Sequence, residues 1–370
     1  MIHTVNLYCT FTSLEIYNYC FCRLKNYVNS LRYNLYSKKS NNNHYRCYKT
    51  NCFNDIGISS INLCRYFGCK TGSYIELVVN CPKLIYNGDE TKLANVTDYD
   101  IFEEKFNRII QHLNSEIFST NLLPKLNDWQ VRRIDYAVDI VTPFVNEYTT
   151  IFNKGYIPNG FSLKEYYNTS FHIKSDACNY NFYNKTEELA VKHNFHLTKD
   201  ILRLEVQCKT AKIRNLINDY SLSNNNLTSL WSETIAKNVI MEAVKRVIGT
   251  YDFFPVNTLR DKIYDSDLPK AYKHYAWQLT KLLNSDIFNL SELHQIIETS
   301  DEYKKDLLKE ILHLYQKRLT EKRFNKTKAA IKGLNYSYAK SYLNKINLSP
   351  IAIPQNCQAK YLANPIKLLQ

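Results

Sequence analysis

The feature that most constrains this chain is the placement of carboxylates in the middle of strands. In VRRIDYAVDI, Ile134, Tyr136, Val138 and Ile140 alternate with Arg133, Asp135, Ala137 and Asp139, and alternate residues of a strand lie on opposite faces. ILRLEVQCK repeats the pattern, with Leu202, Leu204 and Val206 set against Arg203, Glu205 and Gln207. In YIELVVN, Glu76 stands between Ile75 and Leu77. Acidic residues are depleted in plain strands, and two or three on one face repel unless a cation holds them. Hard oxygen ligands suit Mg²⁺ or Mn²⁺. Glu76, Asp135 and Glu205 are therefore the expected metal ligands, with Asp139 a lesser candidate. A plainer reading is a water-facing sheet in which Arg133 and Arg203 pair with the acids.

The surrounding pattern places these strands in a domain. Up to about residue 215 the apolar residues fall in short β-rich runs, HTVNLYCTF, SYIELVVN, VRRIDYAVDIV, NYNFYNK and DILRLEVQCK,. Between them DYDIFEEKFNRIIQHLNSEIF has helical spacing, with Asp98 or Asp100 as its cap,. This order predicts an α+β fold, a central antiparallel sheet with covering helices. Beyond it the periodicity is helical, in SETIAKNVIMEAVKRVIGTY, LPKAYKHYAWQLTKLLN and EYKKDLLKEILHLYQKRLTEKRF. The Asn- and Ser-rich NDYSLSNNNLTS reads as a linker. The expected domains are thus 1–215, catalytic, and 216–370, helical and accessory. Lys and Arg gather in residues 303–332, where Lys326 and Lys328 sit on a candidate DNA-facing helix or a solvated helix face,.

Charge points to a partner. Lys and Arg number 48 against 35 acids, a net +13, which favours a polyanion because neutralised phosphates release counterions. No apolar run approaches the ~20 residues that span a bilayer, and MIHTVNLYCTF lacks the pattern of a secretory signal. The expectation is a soluble cytoplasmic protein with no membrane contact. The eleven cysteines are scattered. Cys47-x4-Cys52 and Cys64-x4-Cys69 are spaced too widely for a zinc ribbon, so reduced thiols are expected,.

The chain holds 30 tyrosines, so a catalytic one must be marked by its context. In NYNFYNKTEEL, Tyr183 and Lys185 share strand parity just before a helix that Asn184 or Thr186 would cap,. A phenol is a poor nucleophile until a neighbour stabilises its anion, and Lys185 could do so. Four blocks in order, IELVVNCPKLIYNGDETKL, VRRIDYAVDI, FYNKTEEL and ILRLEVQCKT, with the opening MIHTVNL and a weaker GLNYSYAKSYLNKINLSPIAIP near the end, resemble the rolling-circle replication initiators of filamentous phages and related plasmids. That resemblance implies a nicking endonuclease in which Tyr183 is the nucleophile, with Lys185 beside it. It also implies a divalent metal and a single- and double-stranded origin as substrate, and Arg133, Arg203, Lys326 and Lys328 are the expected contacts to DNA. A host helicase and polymerase would be partners. The family's wider class holds its metal with a His-hydrophobe-His pair, which none of the nine histidines forms. Tyr180 is a second tyrosine of interest. The alternatives are a mobilisation relaxase and a non-catalytic origin-binding protein. A tyrosine recombinase is disfavoured, since no His is followed three residues later by Arg.

Overall fold

The computed structural model describes the chain except residues 32, 34, 40–44, 68–71, 90, 156, 168, 195–196, 285–335, 355–356 and 370. In chain order the elements begin with β1 (Ile2–Thr10), α1 (Leu14–Ser30), β2 (Tyr36–Lys39), β3 (Tyr45–Thr50), β4 (Ile58–Tyr66) and β5 (Ser73–Asn80). Next come α2 (Cys81–Ile85), α3 (Tyr99–His112), β6 (Gln130–Val141), α4 (Val145–Lys154), β7 (Ser162–Tyr167), β8 (Ser170–Lys174) and β9 (Cys178–Asn184). After α5 (Lys185–His193) and β10 (Ile201–Lys209) the described elements are helical: α6 (Thr210–Asp219), α7 (Leu227–Leu230), α8 (Glu233–Ile248), α9 (Val256–Tyr264), α10 (Lys270–Asn284) and α11 (Tyr336–Lys345). The class is α+β, as the alternation of strand and helix patterns predicts. Lys326 and Lys328, with the basic run around them, lie outside the described residues.

Two compact units emerge, and their boundary is not the expected one. The first comprises Met1–Val138, Asp176–Cys178 and Glu205–Val239, and the second Asp139–Ser175, Asn179–Leu204 and Ile240–Gln370. The Asn-rich stretch fails as a linker because the first unit uses it. Val131 N–H donates to Asn225 O at 2.9 Å, and Asn226 caps α7 by accepting from Ser229 N–H at 3.1 Å. The catalytic domain expected over 1–215 is divided instead within β6 and β10.

In the first unit the strands run β2-β3-β4-β5-β1-β6-β10, with antiparallel pairing from β2 through β6. Val5 and Leu7, Ile61 and Leu63, Ile75, Leu77 and Val79, and Ile134 and Tyr136 form one face, each at most 1% exposed. The amphipathic α1 buries Tyr17, Cys20, Leu24 and Val28, and its first turn is capped by Ser13. α3 buries Phe102, Phe106, Ile109 and Ile110 and runs on into a π-helical stretch, Leu113–Phe118. The cap expected from Asp98 is not made to α3. Its carboxylate turns back to accept from Asn95 N–H at 2.7 Å and from Tyr86 Oη.

Two irregularities in the β1–β6 ladder decide what the opposite face carries. Ile2 pairs with Tyr136 and Thr4 with Asp135, so His3 is an extra residue on β1. Asn6 pairs with Arg133 and Leu7 with Val131, so Arg132 is an extra residue on β6. A bulge inserts one unpaired residue and re-aims a side chain, and the second bulge, on the opposite strand, restores the register that the first had shifted by one. Apolar positions therefore stay in the core on both sides, while the polar face gains an imidazole and a guanidinium.

In the second unit β7, β8 and β9 form an antiparallel ladder, with β10 next to β9. Cys178 aside, β9 turns Tyr180 and Phe182 into an aromatic core with Phe171 and with Phe152 of α4; the Phe152 and Phe182 rings lie 4.7 Å apart. Further along the chain α9, α10 and α11 gather Leu259, Ile263, Ala276 and Leu343 into a smaller buried cluster. Among the described residues no helix is long and apolar enough to cross a membrane.

Candidate active site

The first unit brings His3, Asp135 and Glu205 together. One ligand atom from each lies within 4.8 Å of the others, and among the described residues this is the group with a metal-ligand character. His3 Nδ1 is 3.1 Å from Glu205 Oε2. Asp135 is 1% and Glu205 5% exposed. Arg133 holds Asp135 with two hydrogen bonds, Nε to Oδ1 at 2.7 Å and Nη2 to Oδ2. Gln207 donates to Glu205 Oε1 at 3.1 Å. Such outer hydrogen bonds orient ligands, and a carboxylate retains lone pairs after accepting two.

Burial, and then the nearby Glu205 carboxylate, push the Asp135 pKa up to about 6 against the opposing pull of Arg133 and His3. Two carboxylates held close in a dry place disfavour each other's charge unless a cation is added. The donor set of one imidazole and two carboxylates fits a divalent ion with open positions, and the imidazole favours Mn²⁺ over Mg²⁺. The sequence reading missed His3 because it sought two histidines on one strand. The available signal was a lone His opening a strand, and only the bulge makes it a neighbour of Asp135.

The other expected ligands stand elsewhere. Glu76 shares the polar face but accepts from Asn6 Nδ2 at 3.3 Å and Asn62 Nδ2 at 3.0 Å, outside the three-residue group. Asp139 belongs to the second unit and accepts a bidentate pair from Arg203, at 2.6 and 2.7 Å. That corrects two expectations together. Asp139 is an ion-pair partner rather than a ligand, and Arg203, with no exposed surface, is not placed to meet a phosphate. Arg133 is partly exposed yet committed to Asp135.

Tyr183 and Lys185 also lie in the second unit. Tyr183 is on the less buried face of β9, its ring 6.4 Å from that of His172 and nearly parallel to it. The expected shared face with Lys185 does not follow from strand parity, because the strand ends at Asn184. That residue caps α5 by accepting from Glu187 N–H at 3.1 Å, and Lys185 is the first helical residue. Lys185 is 4% exposed and donates to Glu188 Oε2 at 2.8 Å. Burial, with the Arg203 charge, lowers its pKa from the ordinary lysine value. Tyr180 is a packed core residue, 3% exposed, with its ring tilted against Phe161 and nearly parallel to Phe182.

Cys47 and Cys64 face each other across β3 and β4, and Cys69 is outside the described residues. No protein-family model, no curated protein and no solved structure matches this chain.

Proposed function

We propose that this chain is a site-specific single-strand DNA endonuclease that starts rolling-circle replication through a tyrosine ester. The observation that carries the reading is the His3–Asp135–Glu205 group on a polar sheet face. Its support is chemical: two nearly buried carboxylates and an imidazole converge where hydrogen bonds from Arg133 and Gln207 fix them. The +13 charge fits a DNA partner,, and the order of the sequence blocks adds the resemblance to phage and plasmid initiators.

In this reading Tyr183 Oη attacks the scissile phosphorus and the P–O3′ bond breaks. The phenolic proton leaves with general-base help, and the departing 3′ oxygen takes up a proton to become the hydroxyl primer. The protein stays on the 5′ end as a phosphotyrosine ester, which a later 3′ hydroxyl can reverse. A divalent ion held by His3, Asp135 and Glu205 would supply Lewis-acid charge for phosphate chemistry,. Lys185 is buried and paired with Glu188, so no direct contact with the phosphate is assigned to it. The same strand cleavage would serve a mobilisation relaxase, and host helicase and polymerase are the partners this role requires.

One observation favours a second reading, a DNA-binding protein without catalysis: Asp135 already has a guanidinium partner and Glu205 an amide. A single assay separates them. Supercoiled plasmid carrying the cognate origin is incubated with and without Mn²⁺. The endonuclease converts it to open circles only with metal, and digestion locates the adduct on Tyr183. Origin binding without open circles leaves the non-catalytic reading, and an adduct on another tyrosine reassigns the nucleophile.

A further inference from the structure

The polar face of the first unit carries a second set of side chains besides the acid–imidazole group. Tyr45 on β3, Tyr66 on β4, Tyr74 on β5 and Tyr8 on β1 come from four neighbouring strands. The register puts them on one face: Tyr45 is opposite Tyr66, Tyr74 is opposite Cys64, and Tyr8 is opposite Glu76. Neighbouring strands lie ~4.8 Å apart, so one tyrosine per strand makes a row. The ring centroids step 4.9 Å from Tyr45 to Tyr66, 6.3 Å to Tyr74 and 6.0 Å to Tyr8. Cys47 and Cys64 fill the space among the rings as a small buried cluster with Tyr74.

Packing alone does not account for the row. Tyr66 keeps 41% of its surface exposed, and Tyr8 and Tyr45 are only partly covered. Arg132, brought to this face by the bulge in β6, stacks its guanidinium 4.9 Å from the Tyr74 centroid and donates to the Tyr74 hydroxyl. Among the described residues no carboxylate lies within ion-pair distance of Arg132. Rings at this spacing offer every base a π-face, and an arginine between them offers a phosphate its countercharge.

We propose that this row is a stacking platform for an unpaired stretch of DNA. Bases lie on Tyr45, Tyr66 and Tyr8, Tyr74 supports the rings from within, and Arg132 takes a phosphate. The platform is continuous with the candidate metal group. Thr4, on the same face of β1 as Tyr8, pairs with Asp135, and four residues of strand span ~13 Å. The choice of DNA, and of the cut strand as the occupant, rests on the proposed nicking function.

The test is the affinity of the full chain for a dye-labelled single-stranded DNA oligonucleotide of mixed sequence, measured by anisotropy in chelator. Tyr66→Ala and Tyr45→Ala should each weaken binding about tenfold, within the range for one base–aromatic stack, while Tyr66→Phe keeps it. Abasic sugars in place of the bases should weaken wild-type binding similarly and weaken Tyr66→Ala no further. Because Tyr66 is exposed, an unchanged circular-dichroism melt will show that the variant folds. Wild-type affinity in Tyr66→Ala, or an equal loss for duplex and single strand, would overturn the platform. RNA of the same sequence binding as tightly would overturn the assignment to DNA. Ring-dependent oligonucleotide binding by a protein that never nicks its plasmid would support the platform and sink the nicking function instead.

Discussion

The strands β6 and β10 each supply charged side chains to two polar clusters, and the clusters are built oppositely. In the first unit Asp135 and Glu205 meet with one imidazole and one guanidinium, and Asp135 stays reluctant to ionise. In the second unit Asp139 is clamped by Arg203, and Lys185 is bound to Glu188. The second cluster pairs each acid with a base and has its charges matched. The first brings one ligand atom from each of two carboxylates and an imidazole within 4.8 Å of one another. Carboxylates at mid-strand therefore do not mark a metal by themselves; what matters is whether a second acid and an imidazole converge on the same point, as they do at Asp135 and, among the described residues, not at Asp139.

The sharpest way to break this contrast is to remove one acid from each cluster. Asp135→Asn or Glu205→Gln should abolish Mn²⁺ binding, read by electron paramagnetic resonance, and with it any nicking of origin plasmid. His3→Ala should weaken metal binding by at least about tenfold, as loss of one of three ligands implies. Asp139→Asn should leave Mn²⁺ affinity unchanged. Equal losses from Asp135→Asn and Asp139→Asn would erase the distinction between the clusters.

Stability should reverse the order of sensitivity. Arg203 has no exposed surface and makes both hydrogen bonds to Asp139, so Arg203→Met leaves a carboxylate without its partner. Breaking a buried pair costs about 3 kcal/mol, discounted here because the Asp139 side chain is 22% exposed. Urea unfolding of the Arg203→Met and Arg133→Met proteins measures this, with the larger loss expected at Arg203. A larger loss at Arg133 would mean that the first cluster, not the second, is the structural one.

A smaller effect separates the clusters by pH. The folded value near 6 for Asp135 lies above the ~3.9 of an unfolded aspartate. Between those values the folded protein holds more protons than the unfolded chain, so this group's contribution falls as pH rises from about 4 to about 6 and is flat above. In chelator, wild type minus Asp135→Asn stability should show that downward slope. Since the cation competes with the Asp135 proton, Mn²⁺ affinity should rise over the same interval. A difference curve without slope would show that the Asp135 proton is not coupled to folding.

How much of this was legible in the sequence depends on local pattern. The alternation in VRRIDYAVDI and ILRLEVQCK gave the strands, their buried faces and two of the three clustered residues, because period-two patterning survives in any sheet. The bulges at His3 and Arg132 were not legible, since two inserted residues, one on each strand, leave the apolar positions on either side in phase with their partners. Parity also failed at Lys185, where the Asn184 cap changes strand into helix. The boundary between the units escaped because Asn224–Asn226 look like linker composition, yet their backbone and side chains bond to the sheet and to α7.

Glu76 gives the finest discrimination between an acid that awaits a cation and one that is simply satisfied. Its oxygens accept from Asn6 and Asn62, while the amide oxygens of both asparagines are buried without a hydrogen-bond partner. Glu76→Gln keeps the shape and replaces one acceptor by an NH₂ donor. If one asparagine amide turns over, its oxygen can accept from that donor, because the two ends of an amide exchange roles at little steric cost. A buried acceptor gains a bond in the process, and a net bond is worth about 1 kcal/mol. Glu76→Gln should therefore leave stability within about that amount of wild type, possess full Mn²⁺ affinity and keep the Asp135 pH slope. Loss of metal binding in this variant, with the fold intact by circular dichroism, would return Glu76 to the ligand set and extend the metal group across β5.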